Sequence, residues 1–461
     1  MNNLNLRKIA ELTGGKLFGG RDAAKVEVSS VVSDSREVVK GCLFLCIKGE
    51  RTDGHSFANA AVDAGAAACL MERKVKNYRG AYILVDSVKN AAQVLAQYYR
   101  NQLNLKVVGI TGSVGKTSTK EFIAAVLSRR MRVHKTQGNH NNEWGVPFTI
   151  FGISEDDEAA VIEIGVDDFG QMESRALMVR PDIAVITNIG ESHLEHFGTR
   201  EGIYKEKSDI FRYMDSNGSV ILNGDDDILR EVGSVKGKKP LFFGFGANSA
   251  IRAENIKDHG FDGTEFDIAI RDGGGRLAIH IKLPVCGVHM IYSALAAAAV
   301  GIKMGMPLVR IKEGLESVKN IPGHNGLIRT DKYVIMDDCY NASPKSVAAA
   351  LDTLKASPGR SVAILGDMLE LGQDSEKFHF QTGKKAGLDG TDLIICIGPL
   401  SEKTYMGARM NTDKQVEYYR TLEDGIAALP ELVRRGDTIL VKASNSMKFR
   451  KIVDFLCKDM R

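Results

Sequence analysis

The 461-residue chain carries 61 basic against 58 acidic side chains and is 44% hydrophobic and 26% charged. So long a chain exceeds what one hydrophobic core organises, so about three domains are expected, and its balanced composition excludes both a disordered polymer and a basic nucleic-acid-binding face. Any grip on phosphate must be local.

The N-terminal stretch MNNLNLRKIAELTGG alternates at helical spacing and lacks the apolar run of a signal peptide, so it reads as a first helix. No later stretch approaches the roughly 20 apolar residues that span a bilayer, and no membrane insertion is expected. Seven scattered cysteines without paired spacing argue against a disulfide framework or a zinc site. Cys42 and Cys46, inside GCLFLCIKG, read as core, and the compartment as reducing and cytoplasmic.

Residues 1–105 mix short apolar runs (CLFLCI, AYILV) with helical patterns such as SFANAAVDAGAAACL and VKNAAQVLAQYYRNQ, which is a small α/β unit. Residues 106–321 repeat the rhythm of a parallel sheet in VVGIT, AAVIEIG, DIAVITNIG and SVILNGD. Two alternating runs follow, Phe266-Ile268-Ile270 and Leu277-Ile279-Ile281-Leu283, separated by Gly273, Gly274 and Gly275. They predict an antiparallel hairpin, and an alanine-rich helix is expected over 291–300. Loop-forming KNIPGHNG marks a hinge, after which YVIMDD, SVAILGD, LIICIG and DTILVKAS predict a Rossmann-like third domain over 322–461.

The chemistry begins at 107–118. An apolar strand runs into Gly112-Ser113-Val114-Gly115-Lys116-Thr117-Ser118 and on into the helical pattern TSTKEFIAAVLSRR. Glycines let backbone N–H groups turn toward phosphate oxygens, Lys116 adds charge, Thr117 offers a hydroxyl to Mg²⁺, and the helix N-terminus adds its dipole. This is a phosphate-binding loop by composition and context. The usual glycine five residues before Gly115 is replaced by Ile110, leaving the short form TGSVGKT. Glu163, ending the run AAVIE, supplies the acidic partner that a phosphate-bound Mg²⁺ needs. His193 and His196 lie just past another apolar strand.

These segments, with GNHNNEWGVPFTI, IEIGVDDFGQM, TNIGESHLEHFGT, YKEKSDIF, DDCYNASP and GDMLELG, resemble the Mur ligase family. Within it they are similar to the branch that adds D-alanyl-D-alanine to UDP-N-acetylmuramoyl-tripeptide. The likeness covers essentially the whole chain, including SDSREVVKGCLFLCIKGERTDGHSF, which is similar to that branch's uridine-diphosphate-binding domain. It implies an ATP-dependent acid–amino-acid ligase of peptidoglycan precursor synthesis working through an acyl phosphate, and a monomer is expected.

Position by position, the resemblance puts Lys116 on the β/γ-phosphates and Thr117 with Glu163 on one of two Mg²⁺ ions. His193 would hold the second ion, and Lys207 would be carbamylated to help position it. Asn139 and Asn141 would face the nucleotide-sugar substrate, and Ser35, Arg36, Lys48, Arg51 and His55 its uridine diphosphate. Asp338, Tyr340 and Asn341 would close over ATP and the dipeptide, with closure expected about hinges near 105 and 322.

Three positions depart from the family pattern. Met290 and Ser293 stand where asparagines are usual, His324 and Asn325 stand where an arginine is usual, and Lys442-Ala443-Ser444-Asn445 replaces Lys-Gly-Ser-Arg. Arg329 is a candidate substitute for the missing arginine. With Met290 in place of an asparagine, base binding should lean on packing, and selection of ATP over GTP should weaken. Two other readings remain. One is a related ligase with a different acceptor, although the 105 residues before the loop argue against a folylpolyglutamate synthase and no Asp-Asn-Pro-Arg loop is present. The other is a nucleotide-binding paralogue without ligase activity.

Overall fold

The computed structural model describes residues 4–49, 52–272 and 275–458, and three sheets organise them. In the first, Lys16–Phe18, Tyr82–Leu84, Ala68–Met71, Leu43–Leu45 and Val31–Val32 lie side by side, parallel except for the first pair. The helix Leu6–Thr13 precedes it, capped at one end by the Asn5 side chain, which accepts from the Lys8 N–H at 2.9 Å, and stopped by left-handed Gly14. Cys42 and Cys46 are buried in the core, and all seven thiols are free.

One expected helix is shorter than its pattern suggests. SFANAAVDAGAAACL is helical only over Ala58–Asp63, and Ala68–Met71 is a central strand. Left-handed Gly65 (φ +108°) ends the helix, and a fully buried apolar run carries no period to tell strand from helix.

The second sheet has nine strands, with Lys106–Thr111 between Ile183–Ile186 and Ala159–Glu163, all parallel. Its far edge holds the expected hairpin, Thr264–Asp272 against Gly275–Leu283, in the register Ile270↔Leu277, Ile268↔Ile279 and Phe266↔Ile281. Gly273 and Gly274 lie outside the described residues. The alanine-rich helix spans Met290–Lys303 and packs on this sheet. Leu241–Gly244 and Ile251–Asp258 join the sheet to the hairpin without having stood out in the sequence.

The third sheet has the order Gly326–Arg329, Val334–Asp337, Thr438–Lys442, Ser361–Gly366, Leu393–Ile397, Gln415–Tyr419. All pairs are parallel except the first. Asp338 follows the end of one strand and Lys442 ends its neighbour, so the sheet delivers both to its carboxyl edge, where α/β folds place ligands.

A hinge near 105 does not fit this packing. Leu95, Ala96 and Tyr99 of the first unit share one apolar core with Val107, Val146, Ile150 and Ile162 of the second. The Tyr99 hydroxyl donates to the Ile153 carbonyl at 2.6 Å, and Arg100 donates to the Val179 carbonyl at 3.0 Å and the Arg180 carbonyl at 3.2 Å. Swinging these units apart would expose that core.

Candidate active site

The phosphate loop is held open by its own backbone and by the strand end beside it. Gly112 adopts φ +146°, and a Cβ there would come within 2.0 Å of Thr187 Oγ1, so only glycine fits. The Ser113 N–H donates to the Asn188 carbonyl and the Val114 N–H to Asn188 Oδ1, each at 3.0 Å. Asn188 Nδ2 donates back to the Val114 carbonyl at 2.9 Å, and Thr187 Oγ1 does the same at 2.6 Å. Left-handed Gly115 then starts the helix Lys116–Leu127. Lys116 folds back over the loop, donating to the Gly112 carbonyl at 2.8 Å, and burial pulls its pKa down while the Glu163 carboxylate opposes that.

Below the loop, Glu163 gathers the polar groups. Its Oε1 accepts from Thr117 Oγ1 at 3.2 Å and from Asn141 Nδ2 at 2.7 Å. Its Oε2 is buried without a hydrogen-bond partner, and Lys120 Nζ lies 3.7 Å away. A buried carboxylate oxygen left with only an ion-pair partner suits a cation. Lys120 itself is fully buried and donates to the Gly138 carbonyl at 2.9 Å.

Lys207, on the helix Arg200–Ser208, is fully buried, and its Nζ has no hydrogen-bond partner. Burial first, then the Lys116 charge, pulls its pKa well below the ordinary lysine value; Glu206 opposes, Arg175 adds and Asp167 opposes. An unpartnered buried amine whose pKa is lowered loses its proton more readily and can then react with carbon dioxide, so the residues fit a carbamate. Among the described residues no three His, Cys, Asp or Glu side chains form a ready metal cage. Mg²⁺ needs none, since it typically takes one or two carboxylates together with water and phosphate oxygens.

A cleft of about 530 Å³ lies between the second and third sheets, and Lys120 and Lys207 are buried behind its lining. Ser113 to Ser118, Asn141, Glu163, His193, Asp338, Tyr340 and Asn341 all line it. His193, in a left-handed conformation (φ +60°), is held through Nδ1 by Glu370 of the third domain, which is itself left-handed (φ +63°). The Glu195 N–H donates to the Glu370 carbonyl at 3.1 Å. Asp338 takes Lys442 Nζ at 2.6 Å and the Asn325 N–H at 3.0 Å, and Lys442 also donates to the Asn341 carbonyl at 2.9 Å. Burial raises the Tyr340 pKa while the Asn139 side chain opposes, and the Tyr340 ring lies against His324, centroids 4.4 Å apart.

The departures find new partners. Met290 is buried at the cleft wall beside Asn223, Phe243 and Tyr292, while Ser293 Oγ sits 3.1 Å from Thr119 Oγ1. Asn325 Nδ2 donates to the Cys286 carbonyl at 2.7 Å, and Asn445 Nδ2 to the Tyr340 carbonyl at 3.1 Å. Arg329 does not replace the missing arginine: it pairs with Asp262 at 3.5 Å and does not line the cleft, because its strand runs along the sheet edge.

The first unit's candidates stand apart from the cleft lining. Exposed Arg36 is paired with Asp34, whose carboxyl it holds down at about 2, and Ser35 is in the same short turn. The Lys48 backbone pairs with that of Asp53 in an isolated antiparallel β-bridge. His55 is buried with both ring nitrogens engaged, Nδ1 with Asp53 at 2.7 Å and Nε2 accepting the Glu72 N–H at 3.1 Å, so it can position the loop but has no ring nitrogen left for a ligand. Arg51 lies outside the described residues. Sequence reasoning missed Lys120, Arg175, Lys442 and Glu370. A signal existed for Lys120, one helical turn beyond Lys116 on the same face.

Comparison with known proteins agrees with this geometry. The Mur ligase family catalytic domain matches residues 27–107, the Mur ligase middle domain 110–301, and the Mur ligase glutamate ligase domain 326–445. UDP-N-acetylmuramoyl-tripeptide--D-alanyl-D-alanine ligase of Bacillus subtilis (strain 168) is 37% identical over 454 residues, covering 97% of each chain. The crystal structure of MurF from Acinetobacter baumannii superposes with a TM-score of 0.88 at 28% identity, covering 98% of both chains. MurF ligase from Thermotoga maritima in complex with ADP gives a TM-score of 0.82 at 29% identity, covering 94% of this chain and 98% of that one.

Proposed function

The chain belongs to the Mur ligase family, and from that premise we propose that it joins D-alanyl-D-alanine to UDP-N-acetylmuramoyl-tripeptide with ATP, in the cytoplasm. The observation that carries the reading is the shared cleft. The phosphate loop and buried Glu163 of the central domain meet Asp338, Asn341 and Lys442 of the third across one space. Both walls come from one chain, which supports action as a monomer. No described helix is long and apolar enough to cross a membrane.

A carboxylate becomes a usable electrophile once phosphorylated, and bringing it to ATP sets negative against negative. The loop N–H groups and Lys116 would hold the phosphates, with Lys116 leaving the Gly112 carbonyl to do so. Thr117 and Glu163 would hold one Mg²⁺, and His193 with carbamylated Lys207 a second. Bound there, Mg²⁺ neutralises the phosphate charge. Asn139 and Asn141 would face the sugar-peptide, and Ser35, Arg36, Lys48 and Arg51 its uridine diphosphate. His55 would support that loop from beneath. The amine of D-alanyl-D-alanine would then attack the acyl carbon and release phosphate, with the third domain excluding water from the acyl phosphate.

The test is phosphate release by the purified chain with ATP, Mg²⁺ and UDP-N-acetylmuramoyl-tripeptide. Turnover that needs D-alanyl-D-alanine supports the proposal. Equal turnover with any dipeptide points to a different acceptor, and no turnover with any of them points to a nucleotide-binding paralogue.

A further inference from the structure

Four lysine and arginine side chains line the cleft among the described residues: Lys116, Arg175, Lys345 and Lys442. Three are already held. Lys116 donates to the Gly112 carbonyl at 2.8 Å, Arg175 to the Gly165 carbonyl, and Lys442 to Asp338 at 2.6 Å. Lys345 is exposed and has no hydrogen bond or ion pair among the described residues.

Its position is electrostatically awkward. Lys345 is the second residue of the helix Pro344–Lys355, beside the Ser343 cap, where the helix carries partial positive charge. A cation there works against the helix unless an anion stands opposite. What stands opposite is the phosphate loop: a Cβ placed on Gly190 would meet Ser113 Cβ at 3.4 Å and Lys345 Cδ at 3.6 Å. The lysine stem therefore lies where Gly190 meets Ser113, the residue that opens the turn leading to Lys116. Asp227, a carboxylate whose pKa Lys345 helps to lower, is already engaged by Arg200, Nη1 to Oδ2 at 2.8 Å.

We propose that Lys345 contacts the terminal phosphate of ATP across the closed cleft, a cation that the third domain delivers to the phosphate loop of the central one. The inference rests on the ATP-dependent ligase reading. ATP and ADP differ by that phosphate, so Lys345 ties closure to ATP and loses its partner once the phosphate has been transferred and released. It then favours reopening for product release.

The test is titration of the full chain with Mg²⁺ and either ADP or the non-hydrolysable analogue AMPPCP, comparing wild type with Lys345→Ala and Lys345→Arg. Lys345→Ala should lose about tenfold or more in affinity for AMPPCP while its ADP affinity changes less than about twofold, and Lys345→Arg should recover most of the loss. Thermal stability of the nucleotide-free Lys345→Ala protein should stay level or rise, because a misplaced helix charge has gone. Unchanged AMPPCP binding, or equal losses for both nucleotides, would overturn the proposal. Wild-type protein that binds neither nucleotide would instead contradict the ligase reading itself.

Discussion

The two junctions between domains are built from opposite materials. At the first, Leu95, Ala96 and Tyr99 continue an apolar core into Val107, Val146 and Ile150, and Arg100 is tied to backbone carbonyls across the boundary. At the second, the meeting groups are mainly polar: His193 with Glu370, Glu195 with the Glu370 carbonyl, and Asn325 with the Cys286 carbonyl. Among the described residues, a small apolar contact, Phe261 and Cys286 against the third domain's core, adds to them. Opening the first junction would expose buried hydrocarbon, whereas opening the second exchanges protein hydrogen bonds for water at little net cost. The motion that assembles the site is therefore expected at the second junction, with the first two domains predicted to move as one body.

The largest effect is expected where the central domain meets the cleft chemistry. Lys207→Met should abolish ligation and at the same time raise the melting temperature by several degrees in carbon-dioxide-free buffer. With its folded pKa well below 10.5, unmodified Lys207 binds fewer protons folded than unfolded. Stability then rises with pH from the folded pKa up to 10.5, so the variant's gain should be greatest below the folded pKa and fade toward pH 10.5. Calorimetry across pH checks this, and bicarbonate should restore activity lost by degassing the wild type.

Leu95→Ala addresses the apolar junction. The loss of a fully buried side chain there should cost about 2–5 kcal/mol. Urea titration with separate reporters should show the first two domains unfolding together. Independent transitions for those domains would dissolve the comparison between the junctions.

Much of this was legible in the chain, and the reasons are local. The phosphate loop, Glu163 and the hairpin register of Ile270 with Leu277 each follow from residues near one another in sequence. What stayed hidden depends on long-range meetings. Glu370 lies 177 positions from His193, and Lys442 lies 104 from Asp338. Lys120 reads as a solvent-facing helix lysine until Glu163 is placed beside it. Ala68–Met71 was indistinct because burial on both faces erases periodicity. The hinge expected near 105 failed because sequence shows where a domain starts but not how much apolar surface it shares with its neighbour.

Glu370→Ala sharpens the account of the polar junction. It frees the His193 ring while removing a side chain that is 47% exposed, so stability should change by less than ~0.5 kcal/mol. The maximal rate should fall about tenfold if His193 holds metal as proposed, because the group that orients its ring is lost. Steady-state kinetics with a Mg²⁺ titration separates that outcome from simple loss of domain contact. The smallest effect is at the base: Met290→Asn should improve ATP-over-GTP selection by ~10-fold at most, read as kcat/KM for both nucleotides.

The most direct measurement follows distances within the working protein. Six of the seven cysteines are buried, so after Cys457→Ser, pairs of labels can be placed at the exposed positions Lys74, Arg230 and Glu402, one in each domain. On adding a non-hydrolysable ATP analogue with UDP-N-acetylmuramoyl-tripeptide, the 230–402 distance should narrow to one population while the 74–230 distance stays fixed. A comparable change in the 74–230 distance would contradict the claim that the first two domains act as one body and that the site is assembled at the second junction alone.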